Sequence, residues 1–529
     1  MYRCRDAVLE LFVTKAFVRI MFSVMGTTIS QYPSTPSNYP VFSLTIRAHD
    51  KIKVIDGNAA VLNIVRQAIH KYYGNIQQET IGNDGGTCFK LSGYPFCKTG
   101  TFHLSVRTKY LFTCIISDLY LNGWKLALNS DLSRLYDFST LFFRQCAPPS
   151  TSNFTVCCLS LSSFDKFQLI NAPESLYHVL LECVGNLLQD NNVFERCYEI
   201  KMRGYLWQNC SITQSNTARN LLLNIIKSFR QYGFTYYGTV NLKGTADSIF
   251  FINEGATLPP EEYCIISLNA KDRLRLINCP KNIIDMASRI IVDRWPGGLQ
   301  DSRQEGSCVE YKMKGYPWYA NSRCAAVNSR IFINDLLKES VANGWAVLTS
   351  LDISRKPSDK AVFVMRSCMP MSIPHFCISP ADSDKLRIIG ADSQMQDMVA
   401  SVIRQCWTPG TQKESATELD CELKLLGTPW QCYSFSNSFA LARLMMTRIL
   451  TSLEERGWSV ICSADVSAKF ISSGNNNQDE HPCDVHSWFV AQTSLIASYV
   501  GPSSSAASAP SGFNLPPPSY KEAVGYNYD

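Results

Sequence analysis

Apolar and polar residues follow one script four times along this chain of 529 residues. A short apolar strand opens each copy, at Phe42–Ile46, Val156–Leu161, Tyr263–Leu268 and, more weakly, Phe376–Ser379. A charged turn leads into a second strand, Lys51–Ile55, Lys166–Ile170, Arg273–Ile277 and Lys385–Ile389. Its third and fourth copies alternate polar and apolar residues, the mark of a half-buried strand. A helix is predicted next, clearest where Ile283, Met286, Ala287, Ile290 and Ile291 form one apolar stripe. Then come a strand ending in Lys-x-x-Gly, a polar loop and a second helix. In the third copy this helix carries Ile333, Leu336, Leu337 and Val341 on one side and stops at Gly344, a residue suited to the left-handed position after a helix. Two further strands close each copy.

The glycines of Lys-x-x-Gly are Gly93, Gly204, Gly315 and Gly427, and the helix-stop glycines are Gly123, Gly233, Gly344 and Gly457. Both series recur at about 111 residues, long enough for each copy to close a core of its own. The expected fold is α+β, with four tandem ββαβαββ repeats of about 110 residues and two helices on one face of each sheet. The boundaries read as a flexible segment 1–41, repeats at 42–146, 154–253, 262–368 and 375–493, and a disordered tail 494–529. The Lys-x-x-Gly-Tyr-Pro-Trp element, the Gly-Trp pair and Asp-Ile-Ser-Arg resemble modules of uncharacterised eukaryotic multi-repeat proteins, a family to which no activity attaches.

Charge and cysteine usage narrow the function classes. A net charge of +5 over 59.4 kDa is too dilute for a protein that neutralises many phosphates, so nucleic acid is not expected as a partner. The 21 cysteines are scattered singly, several in apolar patterns (Cys114, Cys157, Cys183, Cys264, Cys462), which points to a reduced, cytoplasmic compartment. No apolar run is long enough to span a membrane. Met25-Gly26-Thr27-Thr28-Ile29-Ser30 fits the N-myristoylation pattern, with weak membrane attachment through Gly26, if translation starts at Met25.

Four constellations have both a structural and a chemical reading. Lys109, Arg219, Arg330 and Arg443 each stand 14 residues before a helix-stop glycine, and Asp131, Asn241, Asp352 and Asp465 stand eight after it. They read as ion pairs joining helix start to strand end, or as anion sites at helix N-termini. Glu199 with Lys201, Glu310 with Lys312 and Glu422 with Lys424 share a strand face, expected to be solvated; Cys88 replaces the acid in repeat 1. The Tyr and Trp of the signature, including Trp318 and Trp430, together with Trp124, Trp345 and Trp458, read as core cover rather than a peptide-binding shelf. His481, Cys483, Asp484 and His486 crowd one loop, but ligands so close cannot easily complete a tetrahedron, and no metal or other cofactor is expected.

The tail carries Pro517-Pro518-Ser519-Tyr520, a PPxY sequence that resembles ligands of WW domains, including those of HECT-type ubiquitin ligases. No catalytic residue is assigned. The expected function is a non-enzymatic scaffold whose tail recruits a WW-domain partner. The alternative is an enzyme or a small-ligand or anion-binding protein using Glu310, Lys312, Arg330 and Asp352 in a cleft of repeat 3.

Overall fold

The computed structural model describes residues 41–495 apart from 83–85, 98–100, 134–136, 151, 209–211, 243–246, 321, 354–359, 432–436, 468–469, 473–479 and 483–484. Repeat 1 contains β1 (Val41–Arg47), β2 (Lys51–Ile55), α1 (Ala59–Ala68), β3 (Ile76–Ile81), β4 (Thr87–Leu91), α2 (Phe102–Leu121), β5 (Trp124–Ser130) and β6 (Asp137–Gln145). Repeat 2 contains β7 (Thr155–Ser162), β8 (Lys166–Ile170), α3 (Glu174–Val184), β9 (Leu188–Phe194), β10 (Cys197–Met202), α4 (Ile212–Gln231), β11 (Thr235–Val240) and β12 (Ser248–Asn253). Repeat 3 contains β13 (Tyr263–Asn269), β14 (Arg273–Ile277), α5 (Lys281–Arg294), β15 (Leu299–Glu305), β16 (Cys308–Met313), α6 (Arg323–Ala342), β17 (Trp345–Leu351) and β18 (Val362–Ser367). Repeat 4 contains β19 (His375–Ala381), β20 (Lys385–Ile389), α7 (Ser393–Cys406), β21 (Thr411–Ala416), β22 (Asp420–Leu425), α8 (Asn437–Glu455), β23 (Ser459–Ala464), the short pair β24 (Phe470–Ser472) and β25 (Glu480–Pro482), and β26 (Ser487–Ala491).

Each repeat is thus a six-stranded antiparallel sheet with two helices, in the order β3-β4-β2-β1-β6-β5 and its equivalents. The ββαβαββ expectation was one strand short. The strand missing from it is β3, β9, β15 or β21, an outer edge with polar sequences such as Leu-Gln-Asp-Ser-Arg-Gln-Glu and nearly every residue exposed. With water on both faces, these strands carry no apolar alternation to read.

Local chemistry fixes the ends of the elements. Asn58, Ser322 and Asp392 cap α1, α6 and α7 by accepting hydrogen bonds from the backbone three residues on. Gly344 has φ of 85°, an angle that favours glycine, and a Cβ there would also crowd the Cys368 carbonyl oxygen at 3.2 Å.

The central strands show how the repeats assemble. Every residue of β1, β13 and β19 is buried, including the polar Ser267 and Ser379. One sheet face takes the repeat's own helices, and the other takes the second helix of the preceding repeat: α2 packs on β7, α4 on β13 and α6 on β19. Helix α8 then packs on β1, which closes the four repeats into a ring. The cores are shared accordingly, with Leu222 of repeat 2 and Ile265 of repeat 3 in one cluster, and Leu450 of repeat 4 and Val41 of repeat 1 in another.

Candidate functional site: the repeat interfaces and the ring axis

The basic residue of the second helix lies in the middle of each interface. Lys109, Arg219, Arg330 and Arg443 are buried, and the first three stand eighth in α2, α4 and α6, well inside the helix rather than at its N-terminus. The anion-site reading therefore loses its orphan N–H groups. The side chains cross to the next repeat: Lys109 Nζ donates to Gln168 Oε1 at 2.5 Å, and Arg219 Nε to Ser267 Oγ at 3.0 Å. Arg330 donates to Ser379 Oγ at 3.1 Å, Ser487 Oγ at 3.2 Å and the Ser467 carbonyl at 2.9 Å. Arg443 stacks on Phe439, 3.9 Å from its ring centre, with Arg47 of repeat 1 at the same distance.

The constant spacing of 22 residues had suggested a pairing within one repeat. What the fold builds from it is a joint between repeats. Arg330 meets the stretch just beyond Asp465, the aspartate of the following repeat, and the aspartates themselves clasp the preceding one. Asp247 N donates to the Asp352 carbonyl at 2.9 Å, Ala361 N to that of Asp465 at 3.0 Å and His486 N to that of Asp131 at 3.1 Å. Side chains differentiate the four joints. Asn241 N donates to Ser139 Oγ (2.8 Å), Asp352 N to Asp247 Oδ2 (2.8 Å), Lys360 Nζ to both Asp465 oxygens (3.1 Å), and Asp131 N to His486 Nδ1 (3.3 Å).

The glutamates expected on a solvated strand face are instead buried beneath the neighbouring helix. Glu199 accepts from Lys166 at 2.7 Å and Gln168 at 3.0 Å, and Glu422 from Arg387 at 2.6 Å. Glu310 is held by Arg273, by Arg275 at 2.7 Å and by Arg303 at 2.8 Å. Burial acts to raise its carboxyl, but the hydrogen bonds and charges of Arg275 and Arg273 outweigh that and hold it below the ordinary range. Arg275 also donates to Ser215 Oγ of α4 at 3.0 Å, tying the cluster to repeat 2. Lys201, Lys312 and Lys424 are half-buried. Glu310 thus belongs to the interface of repeats 2 and 3, and Arg330 to that of repeats 3 and 4. The structure does not gather Glu310, Lys312, Arg330 and Asp352 into one cleft.

The signature splits into a buried and an exposed half. Gly93, Gly204, Gly315 and Gly427 take φ of 72–86°, which turns the chain so that the aromatic three residues on, Phe96, Trp207, Trp318 or Trp430, enters the core. Indole Nε1 of Trp207, Trp318 and Trp430 donates to the carbonyls of Lys166, Arg273 and Lys385 at 3.1, 2.9 and 2.7 Å. The tyrosines were expected to cover the core as well, yet Tyr94, Tyr205 and Tyr316 are 65%, 57% and 62% exposed. Trp124 and Trp458 are buried, and Trp345 is half-buried.

Strands β5, β11, β17 and β23 converge on the ring axis. Each carries a bulge at the equivalent place, between Leu126 and Leu128, Tyr236 and Gly238, Val347 and Thr349, and Val460 and Cys462. A bulge bends the strand and re-aims its side chains. A chamber of about 40 Å³ lies there, lined by Asn129, Thr239, Ser350 and Ser463, one from each repeat. It has room for one or a few waters, each needing about 10–15 Å³ of water-accessible space. Sequence reading missed this polar set; its signal was a polar residue six places after every helix-stop glycine.

The described cysteines are free thiols, and burial raises that of Cys158 to about 12, so it stays protonated. Among the described residues no cluster suits a metal ion, and no helix is long and apolar enough to cross a membrane. His486 is engaged at its joint, while Cys483 and Asp484 lie outside the described residues, as do Gly26, Pro517, Pro518 and Tyr520.

The sequence pattern of a single uncharacterised domain family matches residues 40–144, 155–252, 262–366 and 374–491, one match per repeat. The chain belongs to that family. No curated protein matches it.

Proposed function

We propose that the protein is a non-enzymatic interaction scaffold: a closed ring of four repeats whose tail presents Pro517, Pro518 and Tyr520 to a WW-domain partner. The observation that carries this reading is the disposition of the repeated residues. The charged groups most suggestive of chemistry serve as joints between repeats, while what recurs at the surface is a tyrosine, at Tyr94, Tyr205 and Tyr316. Tyrosine offers a large, rigid contact surface with a polar tip and is enriched at interfaces. A cytoplasmic location, membrane-peripheral if Gly26 becomes the acylated N-terminus, fits the same role.

Affinity capture from cell extract tests it, comparing the full chain with Tyr520→Ala. Selective loss of WW-domain proteins, including HECT-type ligases, is the expected result. An unchanged partner set would remove the tail from the proposal. Mass spectrometry of the expressed N-terminus decides the lipid question, since an intact Met1 excludes acylation at Gly26.

A further inference from the structure

Repeat 3 differs from its neighbours at one internal position, and a groove lies beside the difference. In repeats 1 and 4 the second residue of the first strand is phenylalanine, packed edge-on against the tryptophan that follows the helix-stop glycine. Phe42 and Trp124 are 4.9 Å apart between ring centres, and Phe376 and Trp458 are 5.1 Å apart. In repeat 2 the pair is Val156 and Phe234, both buried. Repeat 3 has Cys264 instead, and Trp345 is left half-buried. Its indole borders a groove of about 440 Å³ with Tyr263, Cys279, Pro280, Ile284 and Val309 along the walls. Substituting a small side chain for a ring withdraws volume that the surroundings recover only in part.

The place where the described chain ends suggests the occupant. Leu495 packs against a small cluster of Val341 of α6, Ala346 (the residue next to Trp345), Ile373 and Ala491. The chain therefore leaves the ring beside the strand that borders the groove. From Leu495 to Pro516 is 21 residues, and a coil of that length spans roughly 25 Å, enough to come back to the groove. Leu515-Pro516-Pro517-Pro518-Ser519-Tyr520 has the chemistry such a site takes, because proline-rich segments dock on grooves lined by aromatic rings at little entropic cost.

We propose that residues 515–520 of the chain's own tail dock in the repeat 3 groove against Trp345. The docking does not depend on any WW-domain partner. Its consequence does: a docked tail hides Pro517, Pro518 and Tyr520, so a WW domain must compete with the ring for them.

The test uses the full chain with Pro516, Pro517, Pro518 and Tyr520 replaced by alanine, titrated against a fluorescein-labelled peptide of residues 511–525. Saturable anisotropy is expected, weakened about tenfold or more by Val309→Glu on the half-buried groove wall and by Cys264→Phe, which restores the ring of repeats 1 and 4. Circular dichroism melts show whether each variant is folded. Absence of peptide binding, or binding indifferent to both folded variants, overturns the proposal. A purified WW domain is then titrated against the peptide and against the unmodified full chain. Weaker binding to the full chain, recovered by Val309→Glu, is expected. Failure of the WW domain to bind even the free peptide would sink the scaffold reading while leaving the docking result intact.

Discussion

Arg330 of repeat 3 donates from Nε to Ser379 Oγ of repeat 4 at 3.1 Å, a hydrogen bond buried between two sheets that share one helix. Its guanidinium spreads over three groups of the neighbouring repeat, so its removal takes a donor from each, although Ser379 Oγ and Ser487 Oγ still bond one another at 3.1 Å. Arg330→Ala is expected to cost about 2–4 kcal/mol, from lost hydrogen bonds to a charged group and the cavity left behind. Urea unfolding followed by circular dichroism measures it. A loss below about 1 kcal/mol would mean that the interface does not depend on the charge.

Trp318 allows volume to be separated from polarity. Trp318→Phe keeps most of the apolar bulk but leaves the Arg273 carbonyl without its indole donor, at an expected cost of about 1–2 kcal/mol. Trp318→Ala should cost about 3–5 kcal/mol. The same denaturation experiment orders the two, and equal losses would show that the hydrogen bond is irrelevant.

Two buried groups give stability opposite pH slopes. Burial raises the Asp247 carboxyl from 3.8 to about 7, although the Asp352 N–H lowers it. The folded chain holds this proton more tightly than the unfolded one, so its contribution is full below pH about 4 and is lost as pH rises to about 7. Asp247→Asn removes that decline, worth up to about 4 kcal/mol across the window. Burial lowers His375 from 6.5 to about 4, so its contribution is full above 6.5 and falls as pH drops toward 4. Both windows lie between about pH 4 and 7, so the two slopes offset in the native chain; in profiles from pH 4 to 8, Asp247→Asn should leave stability rising with pH across that range and His375→Gln should leave it falling.

The closing interface has its own probe. Phe439 of α8 lies between Arg47 and Arg443, so Phe439→Ala should weaken the contact of repeats 4 and 1 and cost about 3–5 kcal/mol. Hydrogen exchange should rise first in β1 and α8. Uniform exchange changes across all repeats would show instead that the ring opens elsewhere.

The sequence carried the repeat count, the helices and the turning glycines, because those depend on local periodicity and on backbone angles such as that of Gly344. It was blind wherever a residue's partner belonged to another repeat. Arg330 looked like the mate of Asp352 because both recur at fixed spacing, and spacing within a copy cannot show that a helix is shared with the next one. The burial of Glu310 was hidden for the same reason. Tyr316 and Trp318 stand two apart and differ in fate because Gly315 and Pro317 redirect the chain, a turn that composition alone does not fix.

Closure through α8 and β1 also settles a question of counting. A stack of repeats with free ends can gain or lose a unit and remain a stack. Here each second helix must find a following sheet, and the bulged inner strands meet at one axis whose curvature suits four. Deleting or inserting one repeat changes the curvature that the inner strands must supply for the ends to meet. Only closure therefore gives the first and last units the two neighbours that interior units already have.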